Sequence, residues 1–582
     1  MLRLSLCAIS ALALATAVQA AEPASRPVTD QMLKSPDAGD WLMWRGNFAA
    51  WGYSPLNQVT PANVAKLALV WSRGVTPGRQ EGTPLVHDGI MYFPEPTDAI
   101  VAIDAKTGQQ LWEYRRPVPP DLKNFIRNVD DHRSIAIWEN LIIGNTDDDH
   151  LVALDAKTGK VVWEAAISDY HVHPALQSAG PIVAGGKVIS TRGCDPRGGP
   201  LSCVITAHDA KTGKELWRFH TIPQPGEPGY ETWGNVPYEQ RWHVGAWMTP
   251  SFDPDTNLVY VGTSVTSPAP KFALAGNDYT YLYNNSTLAL DADTGKLVWH
   301  YQHVVDHWDM DHTMERMIVD TTIAPDPKEV AWINPKIKPG EKRRVITGIP
   351  GKTGIVYTLD AKTGEFLWAR PTIRQNMVSN IDGATGKVTV NPEAVFAKVG
   401  DTKFVCPTSA GGRNWQSGSY SPLNGLMFFP MQNTCEHLTA VLDKPSLSSL
   451  YGIRGEPELP PGETNLGTVQ AVSASTGKTA WKYDQRAGVM SLVATGGGLI
   501  FIGDLAGKFR ALDQKTGKIL WEVSLGSAVS GYPISFAVAG RQYVVASTGS
   551  SNPVALDSLT PEIKGVRTDN NIFVFALPDG VK

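Results

Sequence analysis

Asp104-Ala-Lys-Thr-Gly108, followed by Trp112, is the first of seven copies of the pattern D-x-x-T-G-x-x-x-W. The others are Asp155…Gly159…Trp163, Asp209…Gly213…Trp217, Asp291…Gly295…Trp299, Asp360…Gly364…Trp368, Asp513…Gly517…Trp521 and a degenerate Ser473…Gly477…Trp481. Before each copy lies an apolar stretch such as Leu151-Val-Ala-Leu154, which reads as a strand. Asp can bond its own backbone and Gly supplies a positive φ, so the five residues form a tight turn. The next strand carries Trp, whose ring packs against a neighbour. One such hairpin cannot bury its own face. Radial stacking of copies buries all of them and leaves few edges exposed. The expected fold is therefore all-β, a β-propeller.

The Trp-to-Trp spacings are 51, 54, 82, 69, 113 and 40 residues. The 113-residue gap is too long for one blade, and an untagged blade is expected around Tyr420 to Pro430. The last strand, Asn571 to Ala576, is expected to pair with N-terminal residues and close the ring. Eight blades is the count this favours, with seven the alternative. The long spacings place extra loops on one face, where a site would lie.

The start of the chain reads as a secretory signal. Arg3 is followed by the apolar run Leu4 to Ala17 and the small-x-Ala site Val18-Gln19-Ala20, so residues 1–20 are a leader and the mature chain is periplasmic. No other stretch suits a membrane span. Four cysteines remain, and in an exported chain they read as disulfides, with local pairing Cys194–Cys203 and Cys406–Cys435 favoured. No C-x-x-C-H motif is present to attach a c-type haem. A net charge of −5 gives no reason to expect nucleic acid. No Gly-rich phosphate loop stands in a βαβ context, which argues against nicotinamide and ATP.

The repeat resembles the tryptophan-docking motif of quinoprotein alcohol dehydrogenases. The resemblance runs from Trp44-Arg45-Gly46 to Phe573-Val-Phe-Ala-Leu577. Glu231-Thr-Trp-Gly-Asn235, Cys406-Pro-Thr and Gly411-Gly-Arg-Asn-Trp415 make it most similar to the soluble sorbose- and polyol-type members without a fused cytochrome. It implies pyrroloquinoline quinone (PQQ) as cofactor, an alcohol as substrate, and an external electron acceptor such as cytochrome c.

The resemblance also implies roles. In His307-Trp308-Asp309-Met310-Asp311, Asp309 corresponds to the base that takes the substrate's hydroxyl proton as hydride leaves the same carbon. Asp311 resembles the second acid of lanthanide-using members, and Asp195 lies near a metal-binding Glu. Asp195, Asp309 and Asp311 would thus hold Ca2+ or a lanthanide, which polarises the quinone. Trp247 corresponds to the indole beneath the quinone. Glu81, Arg133, Ser178, Gly193 and Lys352 match positions that contact the cofactor, and Asn414-Trp415 matches a pair at its edge.

Three departures stand beside these matches. Arg127-Asn128 replaces an adjacent-cysteine lid, Gly488 to Leu492 replaces a W-G-G step, and Val265 replaces a metal-ligating Asn, with Ser264 or Thr266 as weak substitutes. These departures support a second reading, a non-catalytic propeller scaffold with a vestigial site. A metal hydrolase using His and Asp is a weaker third. His303, His307 and His312 lack the spacing of a helical zinc motif and are expected to be solvated loop residues.

Overall fold

Each Asp-x-x-Thr-Gly copy closes a hairpin through side-chain bonds that its residue types make possible. Asp104 Oδ1 accepts the Lys106 N–H at 3.0 Å, the Thr107 N–H at 2.8 Å and the Thr107 hydroxyl at 2.9 Å. The same set recurs at Asp209, Asp360 and Asp513. Ser473 keeps one such bond, from Thr476 N–H at 3.2 Å. The computed structural model describes residues 25–126, 131–442, 451–550, 556–564 and 569–581. The expected leader and the lid positions Arg127 and Asn128 lie outside the described residues.

Among the described residues the only α-helix is Asp30–Lys34, and no helix is long and apolar enough to cross a membrane. Among the described residues, sheets of four or five strands follow one another at 85–115, 136–166, 182–220, 251–302, 317–371, 419–485 and 489–524, and a last one joins 534–576 to 68–74; all pairing is antiparallel except that of Tyr53–Ser54, which adds parallel to Val489–Thr495. Inner strands are buried throughout, as Ile90–Glu95 shows, whereas the outer strand Gln110–Arg115 alternates toward solvent. That gradient is why the inner strands read as continuous apolar runs.

Docked tryptophans join each sheet to the next. Indole N–H groups donate to the following turn from Trp71 to Ala105 O (3.1 Å), Trp112 to Ala156 O (2.9 Å) and Trp163 to Ala210 O (3.1 Å). Trp217, Trp299 and Trp481 bond Ala292, Ala361 and Gln514 in the same way at 3.1, 3.2 and 2.9 Å. Trp368 packs under Gly477 without this bond. Trp521 meets Phe575 edge-on at 5.3 Å, on the strand Asn571–Ala576 that pairs with Ala68–Gly74, the bearer of Trp71. The series of contacts thus returns to its start, and the sheets close into a propeller ring.

Among the described residues, the long gap before Trp481 holds no separate blade. Tyr420 to Pro430 falls in Ser419–Ser421 and Leu426–Gln432, the first two strands of the sheet that carries Trp481 itself. The extra length folds into two small sheets, one pairing Val378–Ile381 with Val388–Val390 and one built on Cys435–Ala440. The sheet without a motif copy is the one shared by the two ends of the chain. Disulfides Cys194–Cys203 and Cys406–Cys435 are both formed.

Candidate active site

The candidate residues share one position in the repeat. Glu81, Arg133, Ser178, Trp247, Asp311 and Trp415 each stand just before the first strand of successive sheets, which begin at Leu85, Ala136, Ile182, Ser251, Met317 and Ser419. Gly193 and Lys352 follow second strands that pair antiparallel with those first strands, and so lie at the same end of the sheets. Residues far apart in sequence are thereby gathered on one face of the ring.

At its centre, Lys352 Nζ lies 2.6 Å from Asp309 Oδ1 and 3.2 Å from Asp311 Oδ2. All three residues are buried, Asp309 being the most exposed at 7%. Asp311 Oδ1 accepts Val265 N–H at 2.9 Å and its Oδ2 accepts the Trp247 indole at 3.0 Å. Burial pushes the Asp309 carboxyl well above the usual carboxylate range and the neighbouring Asp311 charge adds to this, with Lys352 opposing. Burial pushes Asp311 up as well, but Lys352, His243 and the Val265 N–H outweigh it and hold Asp311 low. Two adjacent acids are therefore split, Asp309 the better proton acceptor and Asp311 the fixed charge. The loop itself is braced by Asp306, which accepts Met310 N–H at 2.8 Å and faces buried Lys271 at 3.6 Å.

Trp247 connects this centre to a second ion pair. The Arg133 guanidinium sits 5.2 Å from the Trp247 ring centroid, pairs with Glu81 and donates to Ser178 O at 3.0 Å. Ser178 Oγ in turn donates to Trp247 O at 3.4 Å. Gly193 packs closely here: a Cβ there would lie 3.2 Å from Leu176 Cβ and 3.5 Å from Trp247 Cβ. Trp415 is reached through Tyr532, whose hydroxyl donates to Trp415 O at 3.0 Å and whose ring meets Trp415 and Trp44 edge-on, each at 5.7 Å. Asn414 accepts Trp415 N–H at 2.8 Å, fixing the turn before it. Tyr532 carries no local motif, and nothing in the sequence marked it.

The donor chemistry fits a flat, acidic quinone. Arg133 Nε and Trp415 Nε1 are buried donors with no hydrogen-bond partner, beside the partly exposed Trp247 ring and the Lys352 ammonium.

The expected three-carboxylate metal site is not assembled. Among the described residues, groups of three ligand-bearing side chains come together only at Asp40–His87–Asp88 and Asp98–His132–Asp147. Asp195 is turned to Arg197, whose backbone N–H and Nε each bond Oδ1 at 3.0 Å and whose Nη2 bonds Oδ2 at 3.2 Å. The three loop histidines also depart from expectation, being buried at 1%, 3% and 0% exposure for His303, His307 and His312. Burial pushes His307 and His312 down to about 3, so they are neutral core residues.

Residues 41–389 match the family described as glucose/ethanol/alcohol dehydrogenase, beta-propeller domain, and residues 465–563 match outer membrane protein assembly factor BamB. The chain is 31% identical over 548 residues to the dehydrogenase subunit of alcohol dehydrogenase (quinone) of Komagataeibacter europaeus, covering 88% of this chain and 71% of that one. The structure of quinohemoprotein alcohol dehydrogenase ADHIIG from Pseudomonas putida HK5 superposes with a TM-score of 0.84 at 26% identity, covering 96% of this chain and 84% of that one. A europium-containing methanol dehydrogenase superposes with a TM-score of 0.81 at 25% identity, covering 94% and 99%. The chain belongs to the PQQ-dependent alcohol dehydrogenase family and is an enzyme of that kind. The scaffold and hydrolase readings give way to this.

Proposed function

We propose that this chain is an eight-bladed periplasmic propeller that oxidises a primary or secondary alcohol, a polyol or sugar among them, to the aldehyde or ketone. The observation that carries this reading is the unbroken run of contacts Glu81–Arg133–Trp247–Asp311–Lys352–Asp309 on one face of the ring. Trp247 would hold PQQ by stacking, and the bound cofactor would supply the hydride acceptor. Asp309 takes the hydroxyl proton, favoured by the raised proton affinity that burial and Asp311 give it. Lys352 fixes the orientation of the base through its 2.6 Å contact. Arg133, backed by Glu81, would bind an acidic group of the cofactor, and Trp415 with Asn414 would contact it. Electrons leave to an external carrier, cytochrome c by the resemblance.

Asp309→Asn tests the assignment. The variant should bind quinone as the wild type does while its kcat falls by about 10²–10⁴-fold, the usual size of a base contribution. A fully active variant would remove Asp309 from the role.

A further inference from the structure

The donor groups available for a metal beside the quinone are all committed elsewhere. Asp195 is chelated by Arg197, which also donates to the carbonyls of Asn124 and Phe125 and is thereby anchored. Position 265 offers only a Val side chain, and its backbone N–H is spent on Asp311. Ser264 Oγ donates to His243 O and accepts Gly245 N–H, both at 2.8 Å. Thr266 Oγ1 donates to Pro268 O at 2.9 Å and accepts Lys271 Nζ at 2.8 Å. A calcium-like cation takes six to eight oxygen ligands; of the carboxylates expected to hold it, Asp309 and Asp311 alone face one another, and every further ligand would have to come from backbone, water or the cofactor.

The shared face of those two acids is moreover filled. Lys352 Nζ stands within 3.2 Å of both, where a common cation would sit. Its stem is buried and passes close to Gly411, where an added Cβ would come 2.7 Å from Lys352 Cγ. A divalent or trivalent ion would have to share this space with a buried ammonium of like charge.

We infer that this enzyme holds its quinone without a metal ion, and that the Lys352 ammonium between Asp309 and Asp311 is the resident cation of the site. The inference rests on the quinone reading above. It gives Lys352 two tasks, orienting the base and presenting positive charge to the cofactor's carbonyl edge, and it makes Asp311 the counter-ion of Lys352 instead of a metal ligand.

The test uses the holoenzyme. Metal per chain is measured by mass spectrometry before and after exhaustive EDTA dialysis, and PQQ affinity is followed by quenching of tryptophan fluorescence with EDTA, Ca2+ or La3+ present. The expected result is less than 0.1 equivalent of tightly held metal, as an order-of-magnitude bound, with PQQ affinity changing less than about twofold between the three conditions. Lys352→Met should weaken PQQ binding about tenfold or more, with no rescue by either ion. Arg197→Ala combined with Val265→Asn should create Ca2+- or La3+-dependent PQQ binding where the wild type has none. One equivalent of metal lost in Asp311→Ala, or PQQ affinity that collapses with EDTA and returns with an ion, overturns the inference while leaving the quinone site intact. Failure of PQQ to bind under every condition overturns the quinone reading and this inference together.

Discussion

The Trp247 indole N–H donates to Asp311 Oδ2 at 3.0 Å, so the aromatic floor of the site and its fixed negative charge are one unit. Movement of either displaces the other, and Lys352 and Asp309 with them.

Trp247→Phe removes that bond. An aromatic ring remains, smaller than the indole, and the donor is lost. A hydrogen bond to a charged acceptor contributes about 1.5–3 kcal/mol, so PQQ should dissociate about tenfold more readily, measured by fluorescence or retention on a desalting column. Unchanged affinity would mean that the bond does not organise the floor.

The docked tryptophans predict a contrast between two glycines. Gly159 has φ +69° and a Cβ there would lie 2.6 Å from Trp112 Cε3, whereas Gly226, at φ +91°, has open space around it. Gly159→Ala should destabilise the protein by about 1–3 kcal/mol through overpacking against Trp112, added to the backbone strain of its positive φ. Gly226→Ala carries backbone strain alone, about 1 kcal/mol. Urea midpoints would separate the two, and equal effects would refute ring stabilisation by docking.

The two disulfides should differ in weight. Cys406–Cys435 closes a separation of 29 residues and Cys194–Cys203 one of 9. Chain-entropy reasoning makes the longer loop the more stabilising, by about 1 kcal/mol. Replacing each pair with serine and comparing unfolding midpoints checks the order.

His132, next to Arg133, predicts a pH dependence of stability. Its Nε2 lies 3.1 Å from Asp98 and 3.4 Å from Asp147. Burial pulls its pKa down, but the charges of Asp147 and Asp98 outweigh this and raise it well above the usual value. A raised folded-state pKa stabilises fully below the unfolded value of about 6.5 and loses that contribution as pH rises through the folded value. The stability advantage of wild type over His132→Gln should therefore shrink as pH rises from 6.5 toward alkaline. An advantage that grows with pH would contradict a charged His132.

Much of this was legible because its physics is local. An Asp that bonds the N–H groups two and three residues on and a Trp four residues past the Gly are short-range facts, and they repeat. The sheet built from both termini was legible in outline: the last strand was expected to join N-terminal residues, and it pairs with Ala68–Gly74. Trp71 itself escaped, because no Asp-x-x-Thr-Gly turn precedes it. Tyr420 to Pro430 was misread because inserted strands separate it from the turn of its own sheet. Asp309, Lys352, Trp247, Arg133 and Glu81 were found by likeness to a family pattern, and the structure brings them into contact. Tyr532 and Arg197 escaped because their partners lie at the far side of the ring or across a loop, where no spacing records them. Asp195 shows the limit of likeness: a carboxylate can hold the right place and be claimed by a neighbouring guanidinium.

The most direct measurement is reconstitution. Purified protein is titrated with PQQ, and dye reduction is followed with primary alcohols, secondary alcohols, polyols and sugars. The account predicts saturation at one PQQ per chain, quenched tryptophan fluorescence, and PQQ-dependent turnover of at least one alcohol class. Stoichiometric binding with no turnover of any alcohol, or no binding at all, would contradict it.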